Sequence, residues 1–214
     1  MVTKMYANFI TSPIAKKLGM ALTGLIWYGF LIGHLLGNFL LLKGDGGEAF
    51  DAYAEFLHNF PLLIPIEIFL LLAVALHVYL AIRVTADNRR ARPVGYQVTR
   101  SSGGRSFASS SMAYTGTLTL IFVVIHIATF KYGDRIDGSL YKLVVQTFQQ
   151  TGYAVWYVVA MIVLGFHLWH AFHSAFQTLS LRSKVIRNVG SVLCIFIAAG
   201  FILLPIAAYT GLIK

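Results

Sequence analysis

Five stretches of near-continuous apolar sequence, each close to the ~20 residues that carry an α-helix across a hydrocarbon core, constrain this chain more than any other feature. They run roughly 18–42, 65–84, 113–130, 153–176 and 189–208. Lipid offers no partner to a backbone N–H or C=O, so a spanning stretch must satisfy its polar groups internally, as helix. The expected fold is therefore an all-α membrane protein of five transmembrane helices. A chain that is 57% hydrophobic and only 12% charged, with a mean hydropathy of +0.72, excludes a water-soluble enzyme. No stretch outside the apolar segments is long enough to bury a core of its own, so residues 1–214 read as one domain, and no internal repeat is evident.

The net charge of +9 would suggest nucleic acid in a soluble protein, but its placement reads as topology. The N-terminal stretch (Lys4, Lys16, Lys17), the 83–112 loop (Arg83, Arg89, Arg90, Arg92, Arg100, Arg105) and the 179–188 loop (Arg182, Lys184, Arg187) hold twelve basic residues against one acid, Asp87. The opposite side holds five basic residues and seven acids. By the positive-inside rule the N-terminus is cytoplasmic and the C-terminus external. The first segment is too long for a signal-peptide apolar region and is expected to stay in the mature chain. A single cysteine, Cys194, excludes a disulfide framework, a four-cysteine iron–sulfur cluster and covalent haem attachment.

Between the first two segments, KGDGGEAFDAYAEFLHNFP opens with a turn and continues as a short amphipathic pattern, expected to form a helix along the membrane interface. The basic loop NRRARPVGYQVTRSSGGRSFASSS carries Pro, Gly and Ser punctuation and reads as a docking or lipid-facing surface. Neither GDGG nor SSGGR has the strand before it and the helix after it that a phosphate loop needs.

Each of the first four apolar segments carries a histidine: His34, His77, His126 and His167. An ionisable ring at that depth marks a functional site unless it merely bonds a neighbouring helix. His34 and His126 lie eight and four residues before the outer ends of their segments; His77 and His167 lie twelve and fourteen residues after the outer starts of theirs. These offsets define two levels about 10 Å apart, each with two histidines on different helices. That is the requirement for bis-histidine ligation of two stacked haems, whose irons are approached from both faces. Gly33 and Gly37 flank His34 and remove bulk where a flat macrocycle would press on the backbone.

The fourth segment offers a choice, because His167, His170 and His173 form H-x-x-H-x-x-H. Depth favours His167 as the ligand, with His170 next and His173 near the boundary. Propionates need cations or hydroxyl donors, and Arg83 and Lys131 stand inward of His77 and outward of His126; each reads equally as an interfacial anchor.

These residues resemble a known family, the five-helix, two-haem cytochrome b membrane anchor of succinate:quinone oxidoreductases and quinol:fumarate reductases. The resemblance covers nearly the whole chain and rests on SPIAKKLGMALTGLIWYG, GHLLGN around His34, HVYLAIR from His77, IHIATF around His126 and GFHLWHAFHSAFQTL in the fourth segment. It implies that the first four helices form a haem-binding bundle, with a peripheral fifth. It further implies two haem b groups held by His34, His77, His126 and His167, and a flavoprotein and an iron–sulfur subunit docked on the cytoplasmic face of a bacterial inner membrane. The chain would pass electrons between them and a quinone, with menaquinone expected. Glu55, in the outer amphipathic stretch with Glu48, Asp51 and His58, is the expected quinone-side acid; Ser12, Lys16 and Lys17 form an alternative pocket on the inner side. Some fumarate-reducing relatives carry a glutamate two residues before the fourth-helix ligand, where this chain has Gly165, so a transmembrane proton path of that kind is not expected. Two rivals stand beside this reading: the membrane cytochrome b of another respiratory oxidoreductase, and a haem-free transporter with a histidine proton relay.

Overall fold

The computed structural model describes residues 12–91 and 107–214. Lys4, Arg92, Arg100 and Arg105 lie outside the described residues. Among the described residues seven α-helices follow one another: α1 (Pro13–Asn38), α2 (Glu48–His58), α3 (Leu63–Arg90), α4 (Phe107–His126), α5 (Leu140–Gln149), α6 (Thr151–Thr178) and α7 (Lys184–Tyr209). No strand occurs among the described residues. A 3-10 turn (Phe39–Leu42) extends α1, and a π-helical turn (Ile127–Lys131) extends α4. Five elements are long and apolar enough to cross a membrane: α1 with its extension, α3, α4 from Ser111, α6 and α7. Each outruns its apolar stretch, and at α1 and α7 a serine cap opens the added turns. Ser12 accepts a hydrogen bond from Ala15 N at 3.1 Å, with Pro13 opening α1, and Ser183 accepts one from Ile186 N at 3.0 Å at the start of α7.

The two short helices cover the end of the bundle at which α1 finishes. The helix expected in the first acidic loop is α2; α5 was not anticipated, although its pattern is legible. Tyr141, Val144, Val145 and Phe148 fall at i, i+3, i+4 and i+7 and are all buried, while Ser139 caps the helix by accepting from Lys142 N at 3.1 Å. Asp51 of α2 binds both the cap and the helix it starts, accepting from Ser139 Oγ at 2.5 Å and from Tyr141 N at 2.9 Å. In this way α2 is latched to α5, which packs on α6 and α7.

Packing divides the spans into two pairs. The first, α1 with α3, and the second, α4 with α6, meet where α1 packs on α6. The expected peripheral fifth helix is corrected: α7 packs along α6 and also on α1, and its Ile197 and Ala208 are fully enclosed. Small residues explain the close approach. A Cβ on Gly200 would come within 2.8 Å of Leu35 on α1, and Gly190 lies against the Phe172 ring of α6. Tyr28 of α1 completes the contact with its hydroxyl 3.3 Å from Cys194 Sγ.

Candidate functional site

His34 and His126, brought from α1 and α4, face each other near the capped end. Their ring centroids are 5.7 Å apart and their planes 85° apart. Each ring is backed by the phenylalanine one turn earlier on its own helix: Phe30 stacks on His34 at 5.3 Å and Phe122 on His126 at 5.6 Å. Phe201 of α7 closes on His34 at 5.8 Å, so the fifth helix takes part in this site. His126 Nδ1 lies 3.3 Å from the Tyr157 hydroxyl, and the π-helical turn begins at the next residue. Such turns are frequent at functional sites.

The other two histidines lie deeper, and hydrogen bonds determine their chemical state. His77 Nδ1 is 3.1 Å from Met20 O and 3.1 Å from Thr23 Oγ1, both on α1. A carbonyl only accepts, so Nδ1 carries the proton. The Thr23 hydroxyl donates to Gly19 O at 2.8 Å, which leaves its oxygen free to accept from Nδ1 as well. His77 Nε2 is then the unprotonated nitrogen. His167 repeats the arrangement: its Nδ1 lies 3.3 Å from Thr115 Oγ1, whose hydroxyl donates back to Ser111 O or Met112 O at 3.2 Å. All four histidines contact a neighbouring helix and yet are only half-buried.

Thr23 and His34 are eleven residues apart on α1, as are Thr115 and His126 on α4. Eleven residues are about three turns, so each pair shares one helix face, about 16 Å apart along the axis. The levels are therefore further apart than the expected 10 Å, because counting from the ends of apolar stretches misplaces helices that extend beyond them.

Of the two glycines expected to make room for a macrocycle, Gly37 is corrected. Gly37 is occupied by the Tyr53 ring of α2, 2.6 Å from a Cβ placed there, while Gly33 meets nothing within 4 Å. The glycines that give histidines room are Gly24, whose Cβ would stand 3.2 Å from His77 Cε1, and Gly116, at the same distance from His167 Cε1. Among the described residues three buried side-chain donors lack a partner: Trp27 Nε1, Thr119 Oγ1 and Trp156 Nε1. An unpaired buried donor is costly and calls for an acceptor.

The remaining expected site residues are placed as follows. Lys131 forms an ion pair with Glu67 between the end of the π-helical turn after α4 and the start of α3, and Arg83 is exposed one turn from Asp87. Lys16 binds Asp87 at 2.7 Å, joining α1 to α3, and the Ser12 oxygen is engaged as the α1 cap. Lys17, Glu55 and His58 are exposed. His173 Nδ1 bonds Trp169 O of its own helix at 2.6 Å, and among the described residues no three His, Cys, Asp or Glu side chains converge, so H-x-x-H-x-x-H is not assembled as a metal cluster. Outside the spans, a hydrogen bond from Lys142 holds the Asp137 carboxyl below its ordinary range. Gly165 packs against Ala198 of α7, an added Cβ standing 3.0 Å from it, so a longer side chain there requires this contact to give.

No family model, curated protein or solved structure matches the chain. What geometry alone defines is a membrane-spanning bundle whose interior carries histidines at two levels. The residues missed by sequence reasoning are Thr23 and Thr115. Their signal is a shared M-A-x-T-G at 20–24 and 112–116, each threonine eleven residues before an interior histidine.

Proposed function

We propose that this chain is a dihaem cytochrome b that anchors a succinate dehydrogenase or fumarate reductase to a bacterial inner membrane and carries electrons between its iron–sulfur subunit and a quinone, menaquinone being expected. The observation that carries the reading is the approach of His34 to His126, their ring centres 5.7 Å apart, with His77 and His167 at a second level. An iron held between His34 and His126 would take one nitrogen from each ring. At the deeper level Nδ1 of each ring is engaged by the paired helix, which turns Nε2 into the nitrogen available to a ligand; for His77 the Met20 carbonyl makes Nε2 the unprotonated one. Haem, when bound, supplies one-electron transfer; the protein supplies ligation, orientation and exclusion of water.

With Lys131 paired to Glu67, the unpaired donors Trp27, Thr119 and Trp156 are the stronger partners for the carboxylates of such a group, with Arg83 at the basic end. The basic end, holding Lys16, Arg83 and Arg182, is assigned to the cytoplasm, where the flavoprotein and iron–sulfur subunits would dock. At the opposite end Glu55 offers an uncommitted carboxylate close to the His34 level, suited to exchanging protons with a quinone. The alternative at Ser12 and Lys16 requires displacing a helix cap and an ion pair.

The test is a pyridine haemochrome assay on the purified protein with histidine variants. Two haems per chain are expected, His34→Ala and His126→Ala removing one spectral component and His77→Ala and His167→Ala the other. Haem-free protein would leave the proton-relay reading instead, and a component lost in both His77→Ala and His126→Ala would refute the pairing. Glu55→Gln should slow quinone-linked turnover without changing haem content.

A further inference from the structure

The surroundings of His77 and His167 are built twice from the same parts. Thr23 and Thr115, Gly24 and Gly116, Phe30 and Phe122, and His34 and His126 are each 92 residues apart (115 − 23, 116 − 24, 122 − 30, 126 − 34). The correspondence is structural as well as sequential. In each helix pair the threonine of the first helix meets Nδ1 of the histidine on the second, and the next glycine lies under the same imidazole carbon. In each, the phenylalanine seven residues on stacks against the histidine eleven residues on. One turn beyond each threonine, at Trp27 and Thr119, stands a buried donor without a partner. An internal repeat thus joins α1/α3 to α4/α6, which corrects the expectation that the chain has none.

We propose that Thr23 and Thr115 are equivalent positioning residues of the deeper haem site, each Oγ1 holding the Nδ1 proton of the histidine on the paired helix so that both Nε2 atoms face one shared interior. This rests on the haem reading of His77 and His167. An acceptor on Nδ1–H fixes the tautomer and raises the basicity of the ligating nitrogen, which favours the oxidised metal. The two seats are not equally redundant. His77 keeps Met20 O if Thr23 is lost, whereas Thr115 Oγ1 is the hydrogen-bond partner of His167 Nδ1. The larger consequence therefore belongs to Thr115.

The test uses the assembled protein and reads each haem's midpoint potential and low-spin EPR signal. Thr115→Val should raise the reduced-to-oxidised ratio of the deeper haem roughly tenfold at a fixed potential, about 59 mV for a one-electron couple. Thr23→Val should shift it less, Thr115→Ser should restore it, and the His34/His126 haem should not move. Assembly lost with Val and Ala at 115 but regained with Ser also supports the hydroxyl's role; assembly lost with all three overturns it. Unchanged deeper-haem potential in both Val variants, or an equal shift of both haems, overturns it as well. A wild-type protein without haem refutes the function reading instead. In that case ¹⁵N NMR of the labelled histidines decides: His167 should lose its Nδ1–H preference in Thr115→Val, and an unchanged tautomer overturns the positioning role.

Discussion

Replacing Gly116 or Gly24 by alanine should loosen the deeper site while leaving the fold intact. A Cβ at either position stands 3.2 Å from the Cε1 and 3.6 Å from the Nδ1 of the histidine above it. Carbon atoms in ordinary contact sit about 3.5–4.0 Å apart, so the imidazole must retreat by several tenths of an ångström. His77 has slack to do so, with two Nδ1 contacts at 3.1 Å, but His167 starts at 3.3 Å and the same retreat takes it beyond hydrogen-bond range. Overpacking of this kind costs about 1–3 kcal/mol. Alanine in a helix interior recovers about 0.5–1 kcal/mol for the folded chain, but that gain does not act on the site. The thermal midpoint should change little, whereas loss of haem from the deeper level should become easier by roughly 5- to 100-fold, more for Gly116→Ala than for Gly24→Ala. The assay is transfer of haem to an excess of apoglobin, followed by absorbance, with Gly29→Ala as control because a Cβ there meets nothing within 4 Å. Wild-type haem retention in both variants would show that the glycines do not set the seat of the histidines.

Two further outcomes follow from packing. Gly165→Glu places a carboxyl in the α6–α7 contact, 3.0 Å from Ala198 at its first carbon, and should abolish monodisperse protein in size-exclusion chromatography; recovery of well-folded protein would mean that this contact can open. Asp51→Ala removes the acceptor of two hydrogen bonds between α2 and α5 and should cost about 2–4 kcal/mol, seen as a lowered thermal midpoint in detergent with α1 to α7 still helical. An unchanged midpoint would show that the capped end does not contribute to stability.

Much of the site is written into the chain at short range. A histidine in each of the first four apolar segments, two nearer each side, is visible from spacing alone, and so is the helix in the acidic loop. The amphipathic pattern of Tyr141, Val144, Val145 and Phe148 was equally open to inspection, but apolar residues three and four apart in a loop attract less notice than a run of twenty. The repeat at Thr23 and Thr115 was harder, because M-A-x-T-G carries no metal-binding residue and acquires a role only from the histidine that another helix presents to it.

Local sequence determined that this chain forms five spanning helices, since satisfying the backbone in lipid depends only on residues within about a turn of one another. It also determined how far each histidine lies along its own helix. Which rings meet, which nitrogen of His77 is protonated, why Gly24 rather than Gly37 gives a histidine room, and whether α7 belongs to the core were decided by tertiary packing. Those properties depend on atoms of α1 against α3, α4 against α6 and Phe201 against His34. Such contacts join residues up to about 170 positions apart, and hydropathy, which scores each side chain against lipid and not against its neighbours, carries no record of them.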